Sequence, residues 1–242
     1  MLGILVQLAI SWLIIWLVEK GNLSVLGFFP TKKRLTGFVV FFFITAICCA
    51  SEFVMRIGFA KEQWQLNPAL SANLVAEGLW WNIKSVLFEE LIFRGVLLYI
   101  LIKRLGSVKG IIISSIAFGI YHWFSQEAFG DPKQMLILFI MTGIMGLLLA
   151  YGYAKTFSLY IPCAIHLGWN LTKGFIFSEG PIGQGIFIQK QPQPEVTVSY
   201  FIFFVILFLP ILSMWIINYL LLRKHKQEPL PTKQAKYFEN IF

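Results

Sequence analysis

Seven apolar stretches separated by short polar segments dominate the pattern of this chain. The hydrocarbon core of a bilayer is about 30 Å thick, and a helix of about 20 apolar residues crosses it. The stretches are continuous and lack the alternation of a membrane β-barrel, so each one predicts a helix. They lie at about 2–18, 36–58, 78–102, 108–124, 134–153, 157–177 and 198–222. The pattern predicts an all-α, polytopic transmembrane helical bundle of about seven helices, with a range of six to eight.

The polar segments divide the chain into four parts. Residues 1–77 contain the N-terminal helices and loops, 78–177 a core of four helices, 178–222 an outer loop and the final helix, and 223–242 a basic tail. Glycine and proline residues between 178 and 197 predict an irregular loop there. Pro162 lies inside the sixth stretch and predicts a kink four residues before His166.

Composition and charge support a membrane location. Hydrophobic residues make up 57% of the chain and charged residues 13%, and the mean hydropathy is +0.73, so a soluble fold of this size could not bury the apolar surface. The net charge of +8 does not indicate a nucleic-acid partner, because the basic residues flank the apolar stretches instead of forming one patch. We therefore expect membrane lipid as a partner.

The basic residues also predict an orientation. With the N-terminus outside, the inner segments hold 13 Lys and Arg residues and the outer segments hold 4. Positive charge collects on the cytoplasmic side of membrane proteins. The count predicts an integral protein of the plasma membrane with a cytoplasmic C-terminus.

Charged residues lie near the middle of the third stretch, where lipid disfavours them. Glu89, Glu90 and Arg94 together cost about 7–11 kcal/mol on insertion scales. This helix therefore needs polar partners inside a bundle. The candidates are His122 on the fourth predicted helix and His166, with Asn170, on the sixth.

The depth of each residue tests whether these groups can meet. At a rise of about 1.5 Å per residue from the cytoplasmic helix end, Glu89 lies about 21 Å deep and His122 about 20 Å. By the same count Asn170 lies about 20 Å deep and His166 about 14 Å. Three helices thus bring polar groups to similar levels, which predicts one buried constellation.

Two kinds of role fit these residue types. Glu89 and His122 together could deprotonate a water molecule as a general base. His166 and Asn170 are four residues apart on one helix face, and their N–H groups suit the negative oxygen of a tetrahedral intermediate. These roles describe amide hydrolysis. The same residues also fit a polar network that holds helices together, or an ion path, and the spacing does not choose between them.

Three motifs in this region resemble those of the CPBP family of intramembrane proteases, which includes CAAX proteases and bacteriocin-processing proteins. Their order and their placement on helices also match that family. The motifs are EExxxR in Glu89-Glu90-Leu91-Ile92-Phe93-Arg94, FxxxH in Phe118-Gly119-Ile120-Tyr121-His122, and HxxxN in His166-Leu167-Gly168-Trp169-Asn170, preceded by Ser158-Leu159-Tyr160-Ile161-Pro162.

This resemblance implies a glutamate-dependent intramembrane endopeptidase without a metal or other cofactor. Glu89 and His122 would activate the water. His166 and Asn170 would form the oxyanion site, while Glu90 and Arg94 would support the site or bind substrate. The substrate would be a membrane-associated peptide or protein, either lipidated or carrying a leader peptide.

Other chemistries remain open at the same positions. Glu89, His122 and His166 form a plausible zinc set, although no HExxH spacing occurs. Cys163 and His166 are neighbours on a helix and could form a nucleophile pair.

Two functions from other classes also compete with proteolysis. One is a catalytically idle immunity or regulatory scaffold of the same family. The other is a proton-coupled transporter, which also places Glu, His and Arg in mid-membrane. The lack of an internal repeat counts against the transporter.

Overall fold

A computed structural model describes residues 2–231 and shows a predominantly helical chain. The all-α fold class is therefore confirmed. Within the described range the helices are α1 Leu2–Glu19, α2 Lys32–Phe59, α3 Ala72–Phe93, α4 Val96–Leu105, α5 Ser107–Ser125, α6 Pro132–Thr156, α7 Tyr160–Leu171 and α8 Tyr200–Lys224. A 3₁₀ turn covers Leu23–Leu26 and a π turn covers Thr172–Ile176, and the strands are β1 Trp64–Leu66 and β2 Phe187–Gln189.

Five helices in residues 2–231 are long and apolar enough to cross a membrane, namely α1, α2, α5, α6 and α8. Together they make the chain an integral membrane protein. The other three helices lie in the two apolar stretches that remain: α3 and α4 in 78–102, and α7 in 157–177. Helix α3 carries several charges, and α4 and α7 have only 10 and 12 residues. The sequence predicted seven crossings because the apolar stretches continue through the ends of these short helices.

The third apolar stretch is not one helix. Helix α3 ends at Phe93 and α4 begins at Val96, with Gly95 as the residue that precedes it. A side-chain carbon on Gly95 would collide with the carbonyl oxygen of Leu91. The prediction of a continuous helix over 78–102 is wrong here, because a glycine allows the backbone to turn within an apolar run.

Helix α7 begins two residues before Pro162, which contradicts the predicted kink. The first turn of a helix has no preceding turn, so a proline there meets no carbonyl four residues earlier and interrupts no hydrogen bond. Pro162 therefore lies at the start of the helix that carries His166 and does not bend it.

The loop after α7 contains a short strand that the sequence did not predict. Strand β2 pairs antiparallel with β1, with Trp64 opposite Gln189 and Leu66 opposite Phe187. Aromatic rings lie beside this ribbon, where Phe53 stacks on Phe177 at 3.8 Å between ring centroids. The pairing ties the α2–α3 connection to the α7–α8 connection.

The described residues form two compact units. The first unit contains 2–31, 88–162 and 225–231, and the second contains 32–87 and 163–224. In the first unit α5 packs against α6 and α4, and α1 packs against α4; in the second, α2 packs against α8. The four segments defined from the sequence stay a prediction.

The segment 225–231 belongs to the first unit and caps a helix end there. Gln227 donates from Nε2 to the carbonyl of Ala154 at 2.6 Å, and the Glu228 N–H donates to the carbonyl of Lys155 at 2.9 Å. The Tyr99 hydroxyl donates to the carbonyl of Pro231 at 2.6 Å. The last carbonyls of α6 thereby gain partners that their own helix cannot supply. The rest of the predicted tail, 232–242, lies outside the described residues.

Candidate active site

Two of the predicted site residues face each other in the first unit. Glu89, on the last turns of α3, and His122, near the end of α5, approach to 3.9 Å between Oε2 and Nε2. Both side chains are mostly buried, with 14% and 12% of their surface exposed. The structure therefore brings together the carboxylate and the imidazole for which the sequence predicted a shared role.

The other nitrogen of His122 fixes the orientation of the imidazole. His122 Nδ1 lies 2.8 Å from the carbonyl oxygen of Phe118, four residues earlier on α5. A carbonyl only accepts hydrogen bonds, so Nδ1 carries the hydrogen in this contact. The neutral ring then has its lone pair on Nε2, the nitrogen nearer Glu89. The acceptor is a backbone group four residues earlier on the helix, so this contact does not depend on the side chain at 118.

The imidazole lies among aromatic rings of the same unit. The ring of Phe118 contacts it edge-on at 4.5 Å, and that of Tyr121 at 5.4 Å, between centroids. Phe93 packs against both of these rings. The aromatic neighbours restrict the rotation of the His122 side chain and exclude bulk water from most of its surface.

Glu90 and Arg94 form the ion pair that their spacing predicts. Arg94 Nη1 lies 3.1 Å from Glu90 Oε1, and neither side chain has any exposed surface. The backbone N–H of Arg94 also donates to the carbonyl of Glu90 at 2.8 Å. The pair thus lies at the junction where α3 ends and the chain turns into α4.

Helices α5 and α6 complete the surroundings of Arg94. Its guanidinium lies 4.0 Å from the ring centroid of Phe118, and Nη2 lies 3.5 Å from the carbonyl of Gly146. A side-chain carbon on Gly146 would come within 3.4 Å of that nitrogen and 3.2 Å of Phe118. The absence of a side chain at 146 therefore makes room for the buried arginine.

Two residues that support this site, Gly146 and Ser114, were not predicted from the sequence. Gly146 lacks any local motif, because its role depends on a helix fifty residues away. Ser114 on α5 donates its hydroxyl to the carbonyl of Phe93 at 2.7 Å and satisfies a carbonyl in the last turn of α3. The only available signal for Ser114 was a hydroxyl within an apolar run.

The second unit contains the other two predicted residues, both on α7. His166 is buried and Asn170 is half-buried. Gly168 lies on the opposite face of the same helix, since two residues rotate a helix by about 200°. A side-chain carbon on Gly168 would lie only 2.6 Å from the carbonyl of Phe42, so the glycine allows close packing on α2. This packing fixes which face of α7 carries His166 and Asn170.

Five charged side chains of the second unit form a network near the β1–β2 ribbon, which we call the charged cluster. Arg56 lies 2.9 Å from Glu62 and 3.6 Å from Glu52, and it also pairs with Glu179. Lys173 lies 3.1 Å from Glu52 and 3.7 Å from Glu179. Of these contacts, only that between Glu52 and Arg56, four residues apart on α2, follows a local helix spacing. Within residues 2–231, no three His, Cys, Asp or Glu side chains are grouped to hold a metal ion.

The long apolar helices and the buried acid–imidazole pair define a polytopic membrane protein with polar chemistry inside its helical core. Residues 71–172 match a protein-family model described as "Type II CAAX prenyl endopeptidase Rce1-like". This match confirms the resemblance of the motif-bearing segment to CAAX proteases. No curated protein and no solved structure matches the chain.

Proposed function

We propose that the protein is an intramembrane endopeptidase in which Glu89 and His122 activate the water that attacks a peptide bond. The observation that supports this most directly is the approach of Glu89 Oε2 to His122 Nε2, with Nδ1 of the imidazole bound to the Phe118 carbonyl. The family match over 71–172 supports the same reaction class.

The separation of these two atoms suits a shared water molecule. At 3.9 Å they are too far apart for a direct hydrogen bond, and each could accept a hydrogen bond of about 2.8 Å from one water between them. As the water oxygen attacks the carbonyl carbon, Glu89 takes its proton and later returns it to the leaving amine. His122 holds the water in place through Nε2.

We assign the binding of the oxyanion to His166 and Asn170, on the basis of the HxxxN motif and their common face on α7. Each side chain can donate an N–H group to the negative oxygen of the tetrahedral intermediate. Removing one such donor commonly lowers kcat by about 10²–10³.

We assign Glu90 and Arg94 a supporting role. Both are fully buried and paired with each other, so they hold the junction of α3 and α4 beside Glu89. In this proposal they do not contact the reacting bond.

The proposed substrate is a membrane-associated peptide or protein. The description of the matching family names a prenyl endopeptidase, so a farnesylated peptide that ends in a Cys-aliphatic-aliphatic-X sequence is the first probe. We propose that no metal or cofactor takes part.

The test compares the purified wild-type protein with Glu89→Gln, which keeps the shape of the side chain and removes its basicity. Glu77→Gln is the matched control, because Glu77 lies on the same helix and is exposed. We expect Glu89→Gln to abolish cleavage of the farnesylated peptide, Glu77→Gln to retain it, and a chelator to have no effect.

Other results would contradict the proposal in identifiable ways. Equal cleavage by wild type and Glu89→Gln would remove Glu89 from catalysis, and loss of activity with chelator would indicate a metal. A wild-type protein that cleaves no peptide, with a cellular phenotype that survives Glu89→Gln, would indicate a scaffold.

A further inference from the structure

Helix α7 depends on its neighbours for its position. It has 12 residues, fewer than the about 20 that cross the bilayer core. The part of it that carries His166 and Asn170 belongs to the second unit, together with α2. Contacts between α7 and α2 therefore decide where the two proposed oxyanion donors lie in that unit.

The first contact brings the two helix backbones together. Gly168 lies so close to α2 that an added carbon would meet the Phe42 carbonyl oxygen at 2.6 Å. Beside it, the Cys49 thiol donates to the carbonyl of Trp169 at 3.7 Å. A glycine has no side chain to interlock with a groove of the facing helix. This contact therefore sets the separation of the helices and leaves their register to other residues.

The second contact is an ion pair. Lys173 is the second residue of the π turn that follows α7. Its Nζ lies 3.1 Å and 3.2 Å from the two carboxylate oxygens of Glu52 on α2. Glu52 is only 16% exposed, so salt and water screen this pair less than a pair on an open surface. Because Gly168 and Lys173 meet α2 at different heights, they fix the register of α7 as well as its separation from α2.

The charged cluster holds the Glu52 carboxylate in place. Arg56, one turn further along α2, lies 3.6 Å from Glu52 and 2.9 Å from Glu62. Its guanidinium also lies over the rings of Phe53 and Trp64, at 5.2 Å and 5.7 Å from their centroids. These contacts restrict the motion of Arg56, so Glu52 offers Lys173 a fixed partner.

We propose that Lys173 is a positioning residue for the oxyanion donors and acts through its ion pair with Glu52. The proposal rests on the proposed function, because it takes His166 and Asn170 as those donors. Lys173 follows Asn170 by three residues without a break in the helical chain, so a shift at one moves the other. A misplacement of about 1 Å can lower a rate by about 10²-fold, even when its cause lies far from the reacting bond. In this role Lys173 does not touch the substrate.

Lys173→Met tests this role, because methionine keeps an unbranched side chain and removes the charge. We expect kcat for the farnesylated peptide to fall about tenfold per folded molecule, with KM unchanged. Glu52→Gln should have the same effect. The double variant should be no slower than either single variant, since both substitutions remove the same contact. Lys173→Arg keeps the charge and should retain most of the wild-type kcat.

Glu62→Gln is the matched control. Glu62 belongs to the charged cluster and is 21% exposed, close to the 16% of Glu52. Its carboxylate contacts Arg56 and Gln189, which lie on α2 and β2. We expect the wild-type kcat from this variant, which separates loss of the α7 contact from loss of a charge in the cluster.

Labelling of Cys49 tests the position of α7 without relying on activity. Cys49 has no exposed surface, and its thiol bonds to the Trp169 carbonyl on α7. The parent protein for this experiment has Cys48 and Cys163 replaced by alanine. We expect a maleimide to modify Cys49 faster after Lys173→Met than in the parent, and at the parent rate after Glu62→Gln.

The outcomes separate this inference from the proposed function. If Glu89→Gln still cleaves the peptide, the proposed function fails, and Cys49 labelling still decides whether Lys173 sets the position of α7. If Glu89→Gln is inactive while Lys173→Met retains full kcat per folded molecule, the ion pair is only structural and the positioning role is overturned. Equal labelling of Cys49 in Lys173→Met and in the parent also overturns it.

Discussion

The hydrogen bond between His122 Nδ1 and the Phe118 carbonyl leads to a test of the proposed catalytic imidazole. In His122→Asn, the shorter amide can still donate to that carbonyl but has no group equivalent to Nε2. We expect a folded protein whose cleavage rate is lower by about 10²–10⁴, the usual contribution of a general acid–base group. Peptide cleavage and thermal unfolding in detergent measure the two effects separately.

His225→Asn provides the control for this substitution, because His225 lies after α8 and outside the motifs. It should cleave at the wild-type rate. A fully active His122→Asn protein would exclude the imidazole from water activation.

The buried pair of Glu90 and Arg94 predicts a strong effect on stability. Arg94→Met removes one charge of a pair with no exposed surface, and breaking such a pair costs about 3–5 kcal/mol. The double variant Glu90→Leu/Arg94→Met removes both charges, and we expect it to recover most of that loss. Thermal unfolding of the two variants and the wild type checks the prediction. Equal destabilisation by both variants would show that the charges do not act as a pair.

Single residues differ in how far the sequence determines their contacts. The ion pair of Glu90 and Arg94 was predictable, because residues four apart share a helix face. The contact of Arg94 with Gly146 was not, since it depends on how two distant helices pack. The approach of Glu89 to His122 was inferred from depth and from the motifs, and the structure supplies its distance.

At the scale of elements, Gly95 decides where α3 ends. An added side chain collides with the Leu91 carbonyl, so Gly95→Ala must shift the junction that contains Glu90 and Arg94. We expect the free energy of unfolding to fall by at least about 1–3 kcal/mol, as for other overpacked positions. Thermal unfolding and cleavage assays should both show the loss.

Gly58→Ala is the matched control for this position. It lies in α2, and its added carbon has no neighbour within 4 Å, so we expect it to be neutral or stabilising by about 0.4–1 kcal/mol. Stability losses of the same size in both variants would contradict the role given to Gly95.

The sequence predicted the long elements better than the short ones. Apolar length alone located α1, α2, α5, α6 and α8 to within a few residues. The strands have three residues each and the π turn has five, which is too short for a periodic signal. The kink predicted within the sixth stretch was wrong because Pro162 was interpreted as an interior residue when it lies in the first turn of α7.

For the whole molecule, the distribution of basic residues makes the orientation testable. We predict that the N-terminus and the 178–197 loop are outside and that the segment after α8 is cytoplasmic. Gln193→Cys and Lys226→Cys are introduced separately into a protein whose three cysteines, Cys48, Cys49 and Cys163, are replaced by alanine. An impermeant thiol reagent on intact cells should label Gln193→Cys only, and Lys226→Cys should react only after permeabilisation. The opposite pattern would invert the orientation.

The fold class and the resemblance to CAAX proteases were accessible from the sequence because they depend on hydropathy and on three motifs within 71–172. The two compact units were not, because each is assembled from separated parts of the chain. Glu52, Arg56, Lys173 and Glu179 lie outside the matching segment. The charged cluster is therefore a feature that the family match does not describe.

The segment 225–231 has a practical consequence for handling the protein. Trimming the chain at Lys224, whether by a protease during purification or by design, would strip the Ala154 and Lys155 carbonyls and the Tyr99 hydroxyl of their partners. A shortened protein would expose the end of α6 to solvent. An affinity tag with a cleavage site is therefore better placed well beyond Pro231.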